Sequence, residues 1–216
     1  EYKNYDLSSL RMITYGTETM PQSLLLKLKD IFLKVKFLQT FGTSETGIST
    51  TSSKSSNSLF MKLEDINGEY KIVENELWLR SKTQVLGYLN ASMDSFSSDG
   101  WFKTGDLVEV DGEYIKIIGR AKEIINVGGQ KVLPSEVESI ILEMEEISDC
   151  MVYGEKNAIT GQTVVWDVVL NQEVENIKKR VRVFCKDRLD AYKIPTKVNV
   201  VDKTNFSDRF KKIRIK

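Results

Sequence analysis

Carboxylates and hydroxyls stand beside glycines at three points of this 216-residue chain. They occur at Gly16-Thr17-Glu18, at Gly42-Thr43-Ser44-Glu45 and at Thr104-Gly105-Asp106. A glycine lets the backbone approach a ligand closely, a hydroxyl offers a polar contact, and a carboxylate can bind Mg²⁺ or the hydroxyls of a ribose. These groups predict a nucleotide site in which Asp106 is exposed at a turn that Gly105 permits.

The longest run of such signals extends from Asp99 to Ile141. Apolar alternation on both sides of Asp111-Gly112 predicts a β-hairpin, because this dipeptide tolerates the positive φ of a tight turn. Arg120 and Lys122 follow in a polar joint. Gly128-Gly129 then predicts a loop whose backbone can approach a ligand, with an ordinary turn as the alternative.

Regular elements are predicted on both sides of this run. A strand, a helix that Pro21 opens and a second strand predict a βαβ unit on a mostly parallel sheet. Ser49 to Ser58 predicts a surface loop, and Asn67-Gly68 a hairpin among four short strands that end at Val85 to Tyr88. Ser135 with Glu138 predicts a capping box on a helix, and the strands and helix that follow it predict a compact α+β unit.

Composition narrows the function classes. Charged residues make up 29% of the chain and no apolar run reaches the length of a membrane span, so we expect a cytoplasmic globular protein. Cys150 and Cys185 lie in apolar stretches and predict reduced core thiols. The sequence contains no histidine, which excludes Ser-His-Asp and Cys-His catalysis.

The zero net charge conceals an asymmetry. Residues 174–216 carry 14 cationic and five acidic side chains, a net charge of +9, and the preceding residues carry −9. A basic end suits an anionic partner such as coenzyme A, an acidic carrier protein or a nucleic acid. A solvated helix face with an exposed terminus is an equally good interpretation.

Three stretches of the chain read FGTSETG (41–47), WFKTGDL (101–107) and GRAKEIINVGGQKVLPSEVE (119–138). In this order they resemble the adenylate-forming (ANL) superfamily, which contains acyl- and aryl-CoA synthetases, firefly luciferase and nonribosomal peptide adenylation domains. The family's phosphate-binding loop is absent from the sequence, so the resemblance covers only the C-terminal portion of such an enzyme. We therefore expect the chain alone to be inactive in adenylation.

The resemblance implies a fold class of α/β plus α+β and two domains. Residues 1–121 would be the end of a large AMP-binding domain, with a piece of mostly parallel α/β sheet at 1–57 and a small distorted β-barrel at 58–121. Residues 122–216 would form a small, mobile α+β domain that swings about a hinge at Lys122.

The resemblance also implies roles for individual residues. Gly16 and Thr17 would lie against adenine, with Gly42 and Thr43 in the second nucleotide loop, where Ser44 and Glu45 would contact phosphate and Mg²⁺. For Glu45 the alternative is a helix N-cap or a surface carboxylate. Asp106 would hold the ribose hydroxyls and Arg120 the ribose or the α-phosphate. Gly128 and Gly129 would lie beside the pantetheine arm.

The family places a lysine near the end of the chain that stabilises charge during adenylation. Two residues compete for this role: Lys211 by its spacing from Asp202 and from Arg214, and Lys212 by the isoleucine that follows it. We favour Lys211, and a plain basic tail remains the alternative.

The implied activity is the ATP- and Mg²⁺-dependent conversion of a carboxylic acid into an acyl-adenylate. The acyl group then passes to coenzyme A or to the phosphopantetheine of an acyl carrier protein. The alternative is a non-catalytic relative or fragment that binds a carrier protein or another partner through its basic end. A nucleic-acid partner is not expected, because the aromatic residues of that end do not form a stacking platform.

Overall fold

A computed structural model describes residues 2–205 and 212–214 of the chain. The chain divides into two compact units. Unit 1 consists of Glu1–Gly16, Leu25–Thr104 and Val108–Ile117, and unit 2 of Thr17–Leu24, Gly105–Leu107 and Ile118–Lys216. The domain boundary near residue 121 stays a prediction.

The predicted βαβ unit is present near the N-terminus. Strands β1 (Met12–Tyr15) and β2 (Lys36–Gln39) pair in parallel, and helix α1 (Gln22–Ile31) connects them. Pro21 immediately precedes the helix, where its fixed φ is compatible with a first turn. The short strands β3 (Phe41–Thr43) and β4 (Gly47–Ser49) then form an antiparallel hairpin around the loop at residues 44–46.

A six-stranded sheet occupies the middle of the chain, where the small barrel was expected. Its order is β5-β6-β10-β9-β8-β7. The strands are β5 (Thr51–Ser53), β6 (Met61–Leu63), β7 (Gly68–Val73), β8 (Glu76–Ser81), β9 (Phe102–Asp111) and β10 (Tyr114–Arg120). Met61, Leu77 and Ile115 are almost completely buried in its core.

The hairpin between β9 and β10 confirms the prediction from Asp111-Gly112, with Gly112 at φ 62°. Three other predictions for this region are wrong. Asn67-Gly68 does not connect paired strands, because β6 pairs with β5 and β10 whereas β7 pairs with β8. Residues 85–88 form no strand, and the expected surface loop at 49–58 contains β5.

Among its described residues, unit 2 contains a five-stranded sheet with two α-helices. Its strands follow the order β12-β11-β14-β13, and β15 pairs with β14 in parallel. The elements are β11 (Ile125–Val127), β12 (Gln130–Val132), α2 (Pro134–Ile141), β13 (Ile147–Asn157), β14 (Gly161–Leu170), α3 (Ile177–Lys186) and β15 (Lys197–Val200). A core that includes Val137, Trp166 and Val181 is fully buried, which confirms the predicted α+β unit. The fold class is thus the expected mixture of α/β and α+β structure.

Helix α2 begins without the predicted capping box. Leu133 occupies the N-cap position and Pro134 begins the helix. The Ser135 hydroxyl donates instead to the carbonyl oxygen of Ile118, and Glu138 is only 4% exposed. The capping box does not form because both side chains make hydrogen bonds to residues of unit 2 that are distant in sequence.

Both cysteines are free and buried, which confirms the prediction of core thiols. Burial raises the pKa of Cys185 to about 11 and that of Cys150 well above its ordinary value. These thiols are therefore unsuited to nucleophilic chemistry. None of the helices in the described part of the chain is long and apolar enough to cross a membrane.

Candidate functional site

The two predicted nucleotide loops begin side by side in unit 1. Strand β1 ends at Tyr15, whose carbonyl oxygen accepts from the Thr40 amide at 2.8 Å and from the Thr40 hydroxyl at 3.1 Å. A Cβ on Gly16 would approach Thr40 Oγ1 to 2.7 Å and its carbonyl oxygen to 2.8 Å. Only glycine fits this contact, so the sequence signal at Gly16 reflects real crowding.

The loop at Ser44-Glu45 lies between β3 and β4. Thr43 Oγ1 accepts from the Thr46 amide at 3.1 Å, which closes the turn, and Ser44 is exposed. Glu45 is half-buried, and its Oε1 accepts from the Tyr88 hydroxyl at 2.8 Å. Desolvation and this contact with a carboxylate both raise the pKa of Tyr88. Glu45 is therefore a positioned carboxylate in a hairpin loop, and the helix N-cap alternative is wrong.

Strand β9 presents Asp106 through a glycine at positive φ. Gly105 has φ 72° inside the strand, and Asp106 next to it is only 3% exposed. The predicted exposure of this carboxylate is wrong, because Arg120 Nε lies 2.7 Å from its Oδ1. The Arg120 side chain is 36% exposed. The pair thus holds a partly accessible guanidinium on a buried carboxylate, an arrangement that suits a phosphate or a ribose.

The predicted hinge, Lys122, comes two residues after Arg120 in the sequence. Lys122 is exposed in the short 3-10 turn Ala121–Glu123. Gly119, just before it, has φ 149°, and a Cβ there would lie 3.1 Å from Ser135 Oγ. The crowded glycine and the exposed turn are compatible with a hinge, which stays a prediction.

Gly128 and Gly129 form the turn between β11 and β12. Their φ values are 58° and 88°, and the amide of Gly129 donates to Asn126 Oδ1 at 3.0 Å. The Gly128 amide donates to the carbonyl oxygen of Thr160 at 2.8 Å. Both glycines are exposed. Their turn geometry alone explains why glycine is needed, so their role beside a pantetheine arm stays a prediction.

The two candidate adenylation lysines differ in what the structure describes. Lys211 lies outside the described residues. Lys212 is only 9% exposed, and its Nζ lies 2.5 Å from the carbonyl oxygen of Cys150, 3.3 Å from Asp149 Oδ1 and 3.4 Å from Glu138 Oε2. Burial alone would lower the pKa of Lys212, but Glu138 and its other anionic neighbours raise it above the ordinary value. The ammonium of Lys212 is therefore engaged inside unit 2.

Arg214, to which the sequence analysis assigned no contact, is also engaged inside unit 2. Its side chain is 6% exposed and contacts Glu138 through Nε at 3.3 Å and Nη2 at 3.0 Å. The same guanidinium reaches Glu123 at 3.1 Å and Glu18 at 3.1 Å. These carboxylates are 76 to 196 positions away in sequence, so no local pattern could have revealed the contacts.

A cluster of three or more His, Cys, Asp or Glu side chains able to hold a metal ion is not found within residues 2–205 and 212–214. Mg²⁺ in nucleotide sites commonly uses only one or two protein carboxylates together with the phosphates of the substrate. Glu45, half-buried and oriented by Tyr88, fits that limited requirement.

The chain matches the family of AMP-binding enzyme C-terminal domains over residues 136–207. It is 30% identical to 4-coumarate--CoA ligase-like 2 of Arabidopsis thaliana in an alignment that covers 90% of this chain and 38% of that protein. It is also 31% identical to 2-succinylbenzoate--CoA ligase of Bacillus licheniformis in an alignment that covers 90% of this chain and 44% of that one. The chain therefore spans about two fifths of the length of these curated relatives.

Solved structures share the fold. The amide bond synthetase McbA from Marinactinospora thermotolerans superposes with a TM-score of 0.83 at 21% identity, covering 98% of this chain and 47% of that one. The anthranilate CoA ligase AuaEII in complex with anthranoyl-AMP gives a TM-score of 0.81 at 24% identity, covering 98% and 44%. At these identities the structures show the fold alone. The family match and the CoA ligase relatives show that the chain belongs to the adenylate-forming superfamily, as a C-terminal portion.

Proposed function

We propose that the protein carrying this chain activates a carboxylic acid with ATP and Mg²⁺ and transfers the acyl group to a thiol, in the cytoplasm. The observation that carries this proposal is the Asp106–Arg120 pair, in which a carboxylate with 4% side-chain exposure orients a partly accessible guanidinium at 2.7 Å. The names of the relatives support a carboxylic acid, since they include a coumarate-type and a succinylbenzoate CoA ligase.

The reaction has two steps. In the first, a carboxylate oxygen of the acid attacks the α-phosphorus of ATP, and the bond to pyrophosphate breaks. Mg²⁺, when bound, neutralises phosphate charge during this step. Glu45, oriented by Tyr88, would hold the ion, and Ser44 would contact phosphate.

Asp106 and Arg120 would orient the ribose and the α-phosphate, and Gly16, Thr17, Gly42 and Thr43 would line the adenine and phosphate loops. In the second step a thiolate attacks the acyl carbon and AMP leaves. We assign the acceptor to the Gly128-Gly129 turn, as coenzyme A or a carrier-bound phosphopantetheine, with Lys122 as the hinge between the two steps.

The contacts of Lys212 support Lys211 as the adenylation lysine. Lys212 Nζ lies within 3.4 Å of three oxygen acceptors of unit 2, so its charge is already engaged. A lysine that stabilises transition-state charge must instead direct its ammonium towards the reacting phosphate.

The test compares Lys211→Ala with Lys212→Ala in the intact natural protein. We expect Lys211→Ala to lower ATP–pyrophosphate exchange on the order of a hundredfold or more, because a preorganised charge is lost. Thioester formation from supplied acyl-adenylate should continue. Lys212→Ala should mainly destabilise the fold, since it leaves Glu138 with one cation fewer.

Unchanged exchange in Lys211→Ala would contradict the lysine assignment, and absence of exchange in the unmodified protein would contradict the proposed activity. Calorimetry separates the activity from a non-catalytic binding module. A ligase should bind a nonhydrolysable acyl-adenylate analogue more tightly than AMP, whereas a module that docks a carrier protein has no reason to prefer it.

A further inference from the structure

The last described segment of the chain, Lys212 to Arg214, is surrounded by carboxylates of unit 2. Lys212 contacts Glu138 and Asp149, and Arg214 contacts Glu18, Glu123 and Glu138. Both cations are less than one tenth exposed. Ion pairs this well buried are held in one geometry, because a displaced charge would remain without compensation.

Glu18 contacts this segment in two ways. Its Oε2 accepts from the backbone amide of Lys212 at 3.2 Å, and its Oε1 accepts from Arg214 Nη2 at 3.1 Å. The amide of Lys212 is the peptide bond to Lys211, so Glu18 binds the chain one residue from the proposed adenylation lysine. Glu18 itself directly follows Thr17 of the predicted adenine loop.

Arg214 also contacts the residue that follows the predicted hinge. Its Nη1 lies 3.1 Å from Glu123 Oε2, and Glu123 is the neighbour of Lys122. Burial raises the pKa of Glu123, and the charge of Arg214 opposes that rise. A planar guanidinium with five donors can serve both carboxylates and Glu138 at once, which an ammonium cannot do with the same geometry.

We propose that Glu18 and Arg214 are positioning residues for adenylation. Their contacts hold the backbone next to Lys211 at Glu18, the residue that follows the predicted adenine loop. Because Arg214 also contacts Glu123, this placement depends on the conformation of the hinge. This inference rests on the proposed function. It assigns no catalytic contact to either residue, since Glu18 acts through a backbone amide and Arg214 through Glu18 and Glu123.

The test uses Glu18→Gln in the intact natural protein, with Glu175→Gln, an exposed glutamate, as the matched control. We expect Glu18→Gln to lower pyrophosphate exchange about ten- to a hundredfold, the effect of losing a charge-assisted hydrogen bond. Thioester formation from supplied acyl-adenylate should stay within about twofold. A merely structural role would lower both half-reactions equally, and that result would overturn the proposal.

Two further variants sharpen the assignment. Arg214→Lys keeps the positive charge but loses the planar guanidinium with its several donors, so it should show the same selective loss of pyrophosphate exchange. The double variant, Glu18→Gln with Arg214→Lys, should be no worse than the more affected single variant. Fully multiplied effects would mean that the residues act independently and would refute the pairing. If Glu18→Gln exchanges pyrophosphate as well as the unmodified protein does, the proposed positioning role of Glu18 is contradicted, whereas the proposed function is not.

Trypsin provides a readout that does not depend on activity. Lys122 is exposed in the turn that Arg214 contacts through Glu123, so cleavage after Lys122 should quicken several-fold in Arg214→Lys. As the control, Glu175→Gln should be cleaved after Lys122 at the same rate as the unmodified protein. An unchanged rate in Arg214→Lys would contradict the coupling to the hinge.

Discussion

One group of cations in each unit shows two opposite environments for a positive charge. In unit 1, Lys71 lies over the rings of Trp78 and Trp101 at 4.9 and 4.4 Å, and Arg80 lies over Trp101 at 4.5 Å. The side chains of Lys71 and Arg80 are 37% and 43% exposed. In unit 2, Lys212 and Arg214 are buried among carboxylates. The first group of cations lies over aromatic rings, and the second is held by buried ion pairs.

This contrast separates stabilisation from positioning. A partly hydrated cation over a ring loses little when it moves, because water replaces the interaction. A buried cation with several carboxylates has no such replacement, so the segment that carries it is held tightly. We therefore expect removal of charge to be costly in the buried cluster around Arg214 and cheap at the exposed cations of unit 1.

The largest effect is expected for Glu138→Ala. This carboxylate is 4% exposed, contacts Arg214 and Lys212, and accepts from the Val152 amide at 2.8 Å. Its removal leaves two buried cations with fewer partners, so the free energy of unfolding should fall by about 3–5 kcal/mol. Urea unfolding measures the loss, and hydrogen exchange at the Val152 amide should quicken accordingly.

Glu136→Ala is the matched control on the same helix. Glu136 is an exposed partner of Lys193, with 45% of its side chain accessible, and Lys193 keeps Asp190 as a second partner. Its loss should cost less than about 1 kcal/mol. Equal costs for the two variants would show that burial does not distinguish the ion pairs of unit 2.

The same buried contacts mark the limit of what the sequence could predict. The hairpin at Asp111-Gly112 was predictable because the turn and its strands are adjacent in sequence. The prediction of a capping box at Ser135 and Glu138 was wrong, because Arg214, 76 residues away, binds the carboxylate of Glu138. Local signals fail where a tertiary partner of opposite charge exists.

The candidate site shows the same division. The special role of Gly16 was predictable because crowding by Thr40 permits only glycine at this position, and a required glycine is visible in the sequence. The burial of Asp106 was missed although Arg120 lies on the next strand of the same hairpin, so drawing that hairpin could have revealed the pair. Glu18 and Arg214 carried no comparable signal, since their contact joins opposite ends of the chain.

A second difference between the units lies in their thiols, since Cys150 and Cys185 both belong to unit 2. Burial raises the pKa of Cys185 from 9.0 to about 11, although the charge of Arg188 opposes the rise. A raised folded-state pKa means that the fold disfavours the thiolate, so its stabilising contribution is complete below pH 9 and is lost between pH 9 and 11.

Urea unfolding at pH 8 and pH 11 should therefore show about 2–3 kcal/mol less stability from Cys185 at the higher pH. Cys185→Ala should cost about 1 kcal/mol at pH 8 through lost packing, and should then decline less steeply with pH. Parallel pH profiles for Cys185→Ala and the unmodified chain would rule out a contribution from this thiol.

The smallest effect is expected in unit 1, for Lys71→Gln. The ammonium of Lys71 lies over two indole rings and 3.9 Å from Asp99 Oδ2, but its side chain is 37% exposed. Because water can replace these contacts, the loss should be about 0.5–1 kcal/mol in urea unfolding. Lys82→Gln, an exposed lysine of the same unit, is the control and should be neutral. A loss of several kcal/mol in Lys71→Gln would mean that the cations of unit 1 also fix the fold, and the contrast with the buried cluster around Arg214 would disappear.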